Sequence, residues 1–382
     1  MNKMKTLIIF GIFFLLCFLF SCTETQNSKS QIIYIDPQKL STKSFSDFYR
    51  IKTVIPLETN NYSMIKEIDN IIFSEDNIII GGLTAPAFMI YDCNGTFVKK
   101  IDKRGNGPDE YGREIGTFVI DQTDPSNNLI MNKSPRLLFY NYHSWKQVKV
   151  AKWIGASTIL GSLPNGDFLA YQEFGSDNDY FIKLLNQEGE TLKGFLPKPS
   201  QVFFTIPFRY STSFTYHHNN RVYVLPFFTH SIYEYDYTDT LLYEKYRFDI
   251  KNNPPIQLSS LSQQDIENFS YINDFYKLHI KHIGNSNMII SASINNISKL
   301  PITCIINLKT FNAEVFSSKS LRDEQEEIPI SFIWTNLSQP VAIVSPEELI
   351  GFTTTRPDSW GTKLKKEIQE DSNPILVIYE ER

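Results

Sequence analysis

Beyond the first thirty residues, the apolar positions of the chain fall in short runs rather than at helical spacing. Examples are the stretches NIIIGG, AFMIYD, LLFYNY, RVYVLPFF and PILVIYEE. These runs are rich in Ile, Val, Phe and Tyr and are bounded by Asn, Asp, Gly or Pro, which is typical of strands. Strands at even spacing over about 300 residues predict a large closed or radially repeated β architecture.

The runs repeat in groups of four. The stretch IIFSEDNIIIGG, continued by AFMIYDCNGTFVKKI, reads as strand, tight turn, strand, connection, strand, tight turn, strand, and this order recurs along the chain. We therefore predict an all-β fold, a six-bladed β-propeller of four-stranded antiparallel blades. The predicted blades cover approximately residues 68–103, 114–152, 157–197, 213–250, 276–320 and 331–382.

The last group of runs supplies three strands instead of four. The stretch FYRIKTVIPLE, residues 48–58, stands before the first group without partners of its own. If this N-terminal strand completes the last sheet, it closes the ring and protects edges that an open array would expose. We expect the closing strand to be residues 48–58.

The N-terminus has the pattern of a secretory signal. Lys3 and Lys5 precede the uncharged run LIIFGIFFLLCFLF, which is too short to span a bilayer as a helix but suits the core of a signal peptide. The run ends in LFSC, which resembles a lipoprotein box and implies cleavage after Ser21 and lipidation of Cys22. Phe20 departs from the small residue usual at that place, so an ordinary signal peptide or a membrane anchor remains the alternative.

These assignments divide the chain into a signal peptide (residues 1–21), a lipidated cysteine with its tether (22–44) and the propeller (45–382). Thr23, rather than Asp, follows the cysteine. By resemblance to bacterial sorting rules, this residue argues against retention in the inner membrane. We predict a lipoprotein of the outer membrane, held there by its lipid, on the periplasmic or the surface-exposed side.

The net charge of the chain argues against nucleic acid as a partner. The whole chain carries a formal net charge of −5, and loss of the two leader lysines makes the remainder more acidic. This balance offers no electrostatic footprint for nucleic acid.

Without Cys17 and Cys22, two cysteines remain, Cys93 and Cys304, with no CxxC motif. Two small buried thiols are predicted, and a disulfide between them in an oxidising envelope is the alternative.

One segment carries a family resemblance. The stretch LETNNYSMIKEIDNIIFSEDNIIIGG, followed by YDCNGTFVKKIDKRGNGPDEYG, resembles the first blade of the six-bladed β-propeller lipoproteins of Bacteroidetes, which are TolB-like or NHL-like. The shared mark is an Asn-Gly hairpin followed by Gly-x-Gly-Pro-x-Glu-Tyr, and the resemblance covers about residues 45–200. It implies a propeller fold and an envelope location, but no settled activity or catalytic set.

Strand order predicts that the two faces of the ring differ. In such blades, the first–second and third–fourth turns lie at one end, here called the plain face, and they are short, as in SEDN, LPNG, GNSN and SPEE. The second–third loops and the blade links lie at the other end, the elaborated face, and include nearly all long segments. We expect a binding site there, over the mouth of the central channel. A helix predicted in SSLSQQDIENFSYI would serve as a lid or plug an irregular edge.

The stretch KRGNGPDEYG belongs to this face as the link between the first two blades. It is not a dinucleotide fingerprint, because Glu110 occupies the third glycine position and Pro108 lies where a helix should begin. Gly105 and Gly107 are predicted to supply backbone angles that other residues resist, and Pro108 to fix the exit of the turn. Glu110 and Tyr111 are expected to bond the loop to itself or to a neighbouring blade.

Ligand contact by the same loop is the alternative. The candidate ligand-binding residues there are Arg104, Asp109, Glu110 and Tyr111. A second candidate loop, RPDSWG, carries Arg356 and Trp360, which suit the grip of a carboxylate and the stacking of a sugar. We assign these six residues as predicted ligand contacts.

Metal and catalytic motifs give weaker signals. His217 and His218 lie in a short turn. His279 and His282 are three positions apart on a predicted strand, so their side chains would point to opposite faces of the sheet. The sequence has no GxSxG or HExxH motif. We predict no metal site and no cofactor, and assign no catalytic residue.

The favoured function is that of a binding module for a glycan, a peptide or an envelope protein, acting through the elaborated face. The alternative is a hydrolase or a lyase whose site is assembled at the channel mouth from several blades. A third hypothesis is a scaffold without a small ligand.

Overall fold

Short strands with buried centres build the fold. The computed structural model describes residues 30–65, 67–82, 87–113, 115–133, 136–152, 159–171, 180–198, 215–217, 221–226, 229–255, 276–294 and 299–382. Two strands precede the first blade, namely β1 (Gln31–Ile35) and β2 (Tyr49–Pro56).

The first three blades are four-stranded antiparallel sheets whose strands follow one another in chain order. The first contains β3 (Asn70–Phe73), β4 (Asn77–Gly81), β5 (Phe88–Asp92) and β6 (Phe97–Ile101). The second contains β7 (Phe118–Ile120), β8 (Asn128–Lys133), β9 (Arg136–Asn141) and β10 (Lys146–Lys152). The third contains β11 (Ile159–Ser162), β12 (Phe168–Tyr171), β13 (Tyr180–Leu185) and β14 (Thr191–Pro197).

The remaining blades follow the same plan, with additions. The fourth contains β15 (Thr215–His217), β16 (Arg221–Val224), β17 (Ser231–Asp236) and β18 (Leu241–Ile250). The fifth contains β19 (Lys277–Ile283), β20 (Asn287–Ser293), β21 (Ile302–Asn307) and β22 (Ala313–Ser317). A small hairpin, β23 (Arg322–Asp323) and β24 (Ile328–Pro329), links it to β25 (Ser331–Ile333), β26 (Val341–Val344) and β27 (Ile375–Glu381) of the sixth. The predicted all-β, six-bladed propeller is confirmed.

The ring closes as the sequence predicts. Strand β2 pairs antiparallel with β27 from Tyr49 opposite Glu381 to Pro56 opposite Ile375. It therefore supplies the outermost strand of the sixth blade, whose order is β2-β27-β26-β25. Because the two ends of the chain share one sheet, the ring is held by a ladder of backbone hydrogen bonds.

The segment assigned to the tether contains a further strand. Strand β1 pairs parallel with β18, from Gln31 opposite Tyr246 to Ile35 opposite Ile250, and becomes the fifth strand of the fourth blade. Ser41 then donates its N–H to the Val315 carbonyl at 2.7 Å, on the outer strand of the fifth blade. Residues 31–35 thus belong to the fourth blade although they lie inside the 22–44 segment. The isolated run QIIYI gave no signal for this, because a parallel partner needs no adjacent turn.

Burial explains why the strands read as apolar runs instead of alternating. Second and third strands are buried on both faces, as in β4 and β5, because each blade packs between two neighbours. Outer strands are mostly exposed or half-buried, as in β6 and β10, because they meet solvent. The cores therefore lie between blades, such as the cluster of Ile280, Ile290 and Cys304 with Ile232 and Phe248.

The sixth blade departs from its predicted turn. Residues 334–340 connect β25 to β26, whereas SPEE begins helix α1 (Pro346–Gly351). Pro346 at the first turn, with Glu347 and Glu348, suits a helix start. Helices α1 and α2 (Trp360–Leu364) both lie in the 345–374 connection between β26 and β27. The assignment of SPEE to the plain face was wrong, and this long connection belongs to the elaborated face.

Two further features bear on the predictions. Cys93 and Cys304 are both free thiols, but Cys93 is exposed and Cys304 is buried, so the expectation of burial was wrong for Cys93. Cys93 lies in the short turn between β5 and β6, where a side chain points to solvent. Within the described residues, no helix has the length and apolar character needed to cross a membrane. The helix predicted in residues 259–272 lies outside the described residues.

Candidate functional site

The link at residues 103–112 forms a closed corner. Lys103 donates its N–H to the Tyr111 hydroxyl at 3.1 Å, and Tyr111 donates its N–H to the Lys103 carbonyl at 3.0 Å. Gly105 and Gly112 form an isolated bridge, with an N···O distance of 3.0 Å. The Tyr111 ring is 1% exposed and meets the Phe88 ring edge-on at 5.9 Å between centroids. Tyr111 therefore anchors the corner in the core between the first two blades.

Glu110 determines where this corner needs glycine. Its Oε2 accepts the N–H of Gly107 at 2.6 Å, and its own N–H bonds the Gly107 carbonyl at 3.2 Å, around a turn with Pro108 at the second position. Gly105 has a φ of 153°, and a Cβ there would stand 1.9 Å from Glu110 Oε2. Gly107 has no positive φ, and a Cβ there would stand 3.1 Å from the same oxygen. Gly107 thus makes room for Glu110 instead of supplying an unusual backbone angle.

The charged groups of the corner are bonded within it or to the next blade. Asp109 forms an ion pair with Lys103 and accepts the N–H of Gln147, in β10, at 2.7 Å. Arg104 makes a double contact with Asp102, at 2.8 Å from Nε and 2.5 Å from Nη2. Such contacts stabilise the loop geometry by themselves. The assignment of Arg104, Asp109, Glu110 and Tyr111 to ligand contact stays a prediction.

The second candidate loop is fastened to one buried carboxylate. Glu327 accepts hydrogen bonds from the Thr355 N–H and Oγ1, both at 2.7 Å, from the Arg356 N–H at 3.0 Å and from Ser359 Oγ at 2.8 Å. Burial of the carboxyl opposes its ionisation, but these hydrogen bonds outweigh that effect and lower the pKa of Glu327 to about 2. A charged Glu327 therefore holds the entry to α2.

The two predicted contacts on this loop lie at the surface. The Arg356 Nη1 donates to the Gln325 carbonyl at 3.1 Å. The Trp360 side chain is 38% exposed, and the Lys363 ammonium lies 5.5 Å from the centroid of its ring. Arg356 and Trp360 stay predicted ligand contacts, and neither lines the cavity described next.

A cavity of about 560 Å³ opens between the fifth and sixth blades. Its floor is the fifth blade, where Lys281, Ser291 and Thr303 come from β19, β20 and β21. Its far wall is formed by residues 318–322 and 329–332, from the link between the blades and β25. The end of α1 covers it, so the cavity lies at the elaborated face. None of the six predicted ligand contacts lines it.

A β-bulge places Lys281 in this cavity. In the β19–β20 ladder, Ile280 lies opposite Ile290, whereas His282 lies opposite Ile289, so Lys281 is the extra residue. The same shift brings His279 and His282 to one side of the sheet, because their partners are two residues apart on β20. The prediction that these histidines point to opposite faces was therefore wrong. Among the described residues, no group of three or more His, Cys, Asp or Glu side chains could hold a metal ion.

The charged lining of the cavity is mainly basic. Lys281, Lys319 and Arg322 face one acid, Glu348. Burial lowers the pKa of the Lys281 ammonium below the usual lysine range. Within the part of the chain that the structure describes, its Nζ has no hydrogen-bond or ion-pair partner. The Arg322 guanidinium lies 5.9 Å from the centroid of the Phe352 ring.

Hydroxyl and apolar groups complete the lining. Thr303 Oγ1 and Ser318 Oγ are 2.8 Å apart, and Ser291, Ser320 and Ser331 add further hydroxyls. The remaining lining is apolar and includes Leu321, Ile330 and Phe332, all buried, together with Phe352. This combination can bind a small molecule that has both an anionic group and several hydroxyls.

Sequence reasoning missed this site because its walls are far apart in the chain. The local signal was weak, because Lys281 belongs to the strand KLHIKHI, which also contains Lys277, His279 and His282. The register shift that aims this lysine into the cavity leaves no mark in the sequence.

This six-bladed propeller belongs to the family described as "Domain of unknown function (DUF4934)", whose model matches residues 30–380. No match was found among curated proteins.

A solved structure shows the same fold. A protein from Bacteroides fragilis described as exported is similar with a TM-score of 0.76 and 15% identity, over 92% of this chain and 100% of that chain. The predicted resemblance to six-bladed propellers of Bacteroidetes is thereby confirmed. A protein of unknown function from Bacteroides caccae has a TM-score of 0.40 and 10% identity, over 65% of this chain and 79% of that chain. Streptogramin B lyase also gives 0.40, with 12% identity over 78% and 80%.

Proposed function

We propose that the protein is a binding module of the bacterial envelope that takes a small ligand in the cavity between its fifth and sixth blades. The single observation that carries this proposal is the cavity itself. Its volume of about 560 Å³ suits a small-molecule site, and its lining combines charged and hydroxyl side chains with buried apolar ones.

The surroundings of the cavity support a preformed site. Its roof, α1, belongs to the same 345–374 connection as the loop held by Glu327, and that carboxylate fastens the connection to the β23–β24 hairpin. The far wall includes both strands of this hairpin at Arg322 and Pro329. A site whose walls are already connected by hydrogen bonds loses less conformational entropy when a ligand binds.

The envelope location rests on two further observations. The similar protein from Bacteroides fragilis is described as exported. The N-terminal run and the LFSC box of this chain predict export followed by lipidation of Cys22. We therefore propose an outer-membrane lipoprotein whose lipid anchors the propeller to the membrane.

Ligand screening on a chain that starts at Thr23 tests the proposal. This chain keeps every described residue, and thermal shift can be measured against glycans, peptides and divalent metals. Gly351 lines the cavity, and a Cβ at this position would meet no atom within 4 Å, so there is room for a side chain to begin there and Gly351→Trp should obstruct the cavity. Ile350→Trp, on the same helix but outside the lining, is the matched control.

The proposal predicts at least one ligand that stabilises the wild type and the Ile350→Trp variant but not the Gly351→Trp variant. A ligand that stabilises all three chains equally would place the site elsewhere. No stabilisation by any small molecule would favour a scaffold or a partner protein instead.

A further inference from the structure

We infer that the cavity between the fifth and sixth blades binds an acidic sugar, with the sugar's carboxylate paired to Lys281. This inference rests on the proposed function, because it specifies the ligand of the same site.

The surroundings of Lys281 favour an anionic ligand. Lys281 lies on an inner strand and its amine lines the cavity, with no bonding partner among the described residues. A half-buried ammonium group with no anion beside it favours a ligand that supplies the anion. Its lining neighbours on β20 and β21, Ser291 and Thr303, carry hydroxyls and no negative charge, so they cannot do so.

The strand register of the fifth blade differs from that of the other five blades. In each of the other five blades, the register shift lies between the third and fourth strands. The fifth blade has an unbroken third–fourth ladder and instead shifts between its first and second strands, at Lys281. Bulges are frequent beside binding sites because they re-aim a side chain. This bulge aims Lys281 and leaves the surrounding ladder intact.

The rest of the cavity lining discriminates among anions. Lys319 and Arg322 add positive charge near the mouth, and only Glu348 opposes it. The serine and threonine hydroxyls of the floor and far wall can donate to and accept from the hydroxyls of a sugar. The Phe352 ring offers an apolar surface to the face of a sugar ring. A simple inorganic anion would use the charges and some of the hydroxyls but would leave the apolar wall without a role.

Calorimetric titration of the chain from Thr23 tests this inference. The probes are glucuronate and galacturonate, with glucose and galactose as neutral matches and inorganic phosphate as a simple anion. The variants are Lys281→Met, which removes the charge at similar length, and Lys281→Arg, which keeps it. Lys277→Met is the control, because it lies on the same strand outside the cavity lining.

We expect one of the acidic sugars to bind more tightly than its neutral match and than phosphate. Lys281→Met should weaken that binding about 10- to 100-fold, because it removes a hydrogen bond between charged groups. Lys281→Arg should recover part of the loss, and Lys277→Met should bind as the wild type does. Folding of Lys281→Met is not at risk, because an uncharged methionine is easier to bury than an ammonium.

The outcomes separate this inference from the proposed function. Equal binding of acidic and neutral sugars, tighter binding of phosphate, or unchanged affinity in Lys281→Met would each overturn the inference. The proposed function would still stand if Gly351→Trp abolished binding of a neutral sugar or a peptide. Binding that survives Gly351→Trp would overturn both.

Discussion

The corner at residues 103–112 and the cavity between the fifth and sixth blades are opposite kinds of structure. The corner is dense in glycine, proline and charge, and its polar groups are bonded to one another. The cavity is built from ordinary residues, yet it contains a half-buried lysine without a described partner. In this molecule the unusual composition of the corner reflects the backbone angles and close contacts that the loop needs. A polar group without a partner, in contrast, indicates where a ligand can bind.

The largest expected effect is on the corner, from Tyr111→Ala. The ring is 1% exposed and packs against Phe88, so its loss should reduce the free energy of unfolding by about 3–5 kcal/mol. Urea denaturation measures this change. Tyr62→Ala, where the side chain is 75% exposed, should stay within about 0.5 kcal/mol of the wild type. A Tyr111→Ala loss as small as that of the control would mean that the corner is not part of the core.

The next effect compares two glycines. Gly105→Ala should lower the free energy of unfolding by about 1–3 kcal/mol, because its φ is positive and its Cβ would collide with Glu110 Oε2. Gly351→Ala, at the cavity, should be neutral or slightly stabilising because its Cβ meets nothing within 4 Å. The same denaturation measurement checks both. Equal effects of the two substitutions would remove the contrast between a filled corner and an open cavity.

A smaller, local effect is expected at Glu327, whose pKa is lowered to about 2. A carboxyl with a lowered folded-state pKa stabilises the fold above its unfolded pKa, and this stabilisation is lost as the pH falls toward 2. We expect the 353–366 region to be cut faster by pepsin as the pH falls from about 5 to 2. Glu327→Gln should be cut fast throughout this range. A wild-type cleavage rate that does not change with pH would contradict the role of Glu327.

The smallest stability effect is expected from Lys281→Met. Because burial lowers the pKa of this amine, its removal should leave the free energy of unfolding within about 1 kcal/mol of the wild type, or raise it. Thermal unfolding at neutral pH, with Lys277→Met as the matched variant, measures the change. A loss as large as that of Tyr111→Ala would show that Lys281 holds the fold instead of serving a ligand.

Much of this fold follows from the sequence, because runs such as NIIIGG and AFMIYD record burial on both faces of a blade. Even the closing strand could be predicted, since the last group of runs lacked a fourth member. Strand β1 could not, because its parallel partner lies more than 200 residues away and no turn joins them. The SPEE segment was misread because a short polar stretch suits a hairpin turn and a helix start equally well.

The candidate site was predicted only as far as its face. The long second–third loops and blade links indicate the elaborated face, and the cavity opens there. The lining residues could not be predicted, because Lys281, Arg322 and Gly351 meet only when the fifth and sixth blades pack together. The bulge at Lys281 depends on the register of two strands, which sequence periodicity does not encode at single-residue precision.

The most direct test of the central claim compares the two regions in one binding measurement. Thermal stabilisation by glucuronate or galacturonate is measured for the wild-type chain, for Gly351→Trp in the cavity and for Arg104→Ala in the corner. The account predicts that stabilisation disappears in Gly351→Trp and persists in Arg104→Ala. Stabilisation that persists in Gly351→Trp and disappears in Arg104→Ala would contradict the account and return the ligand to the corner.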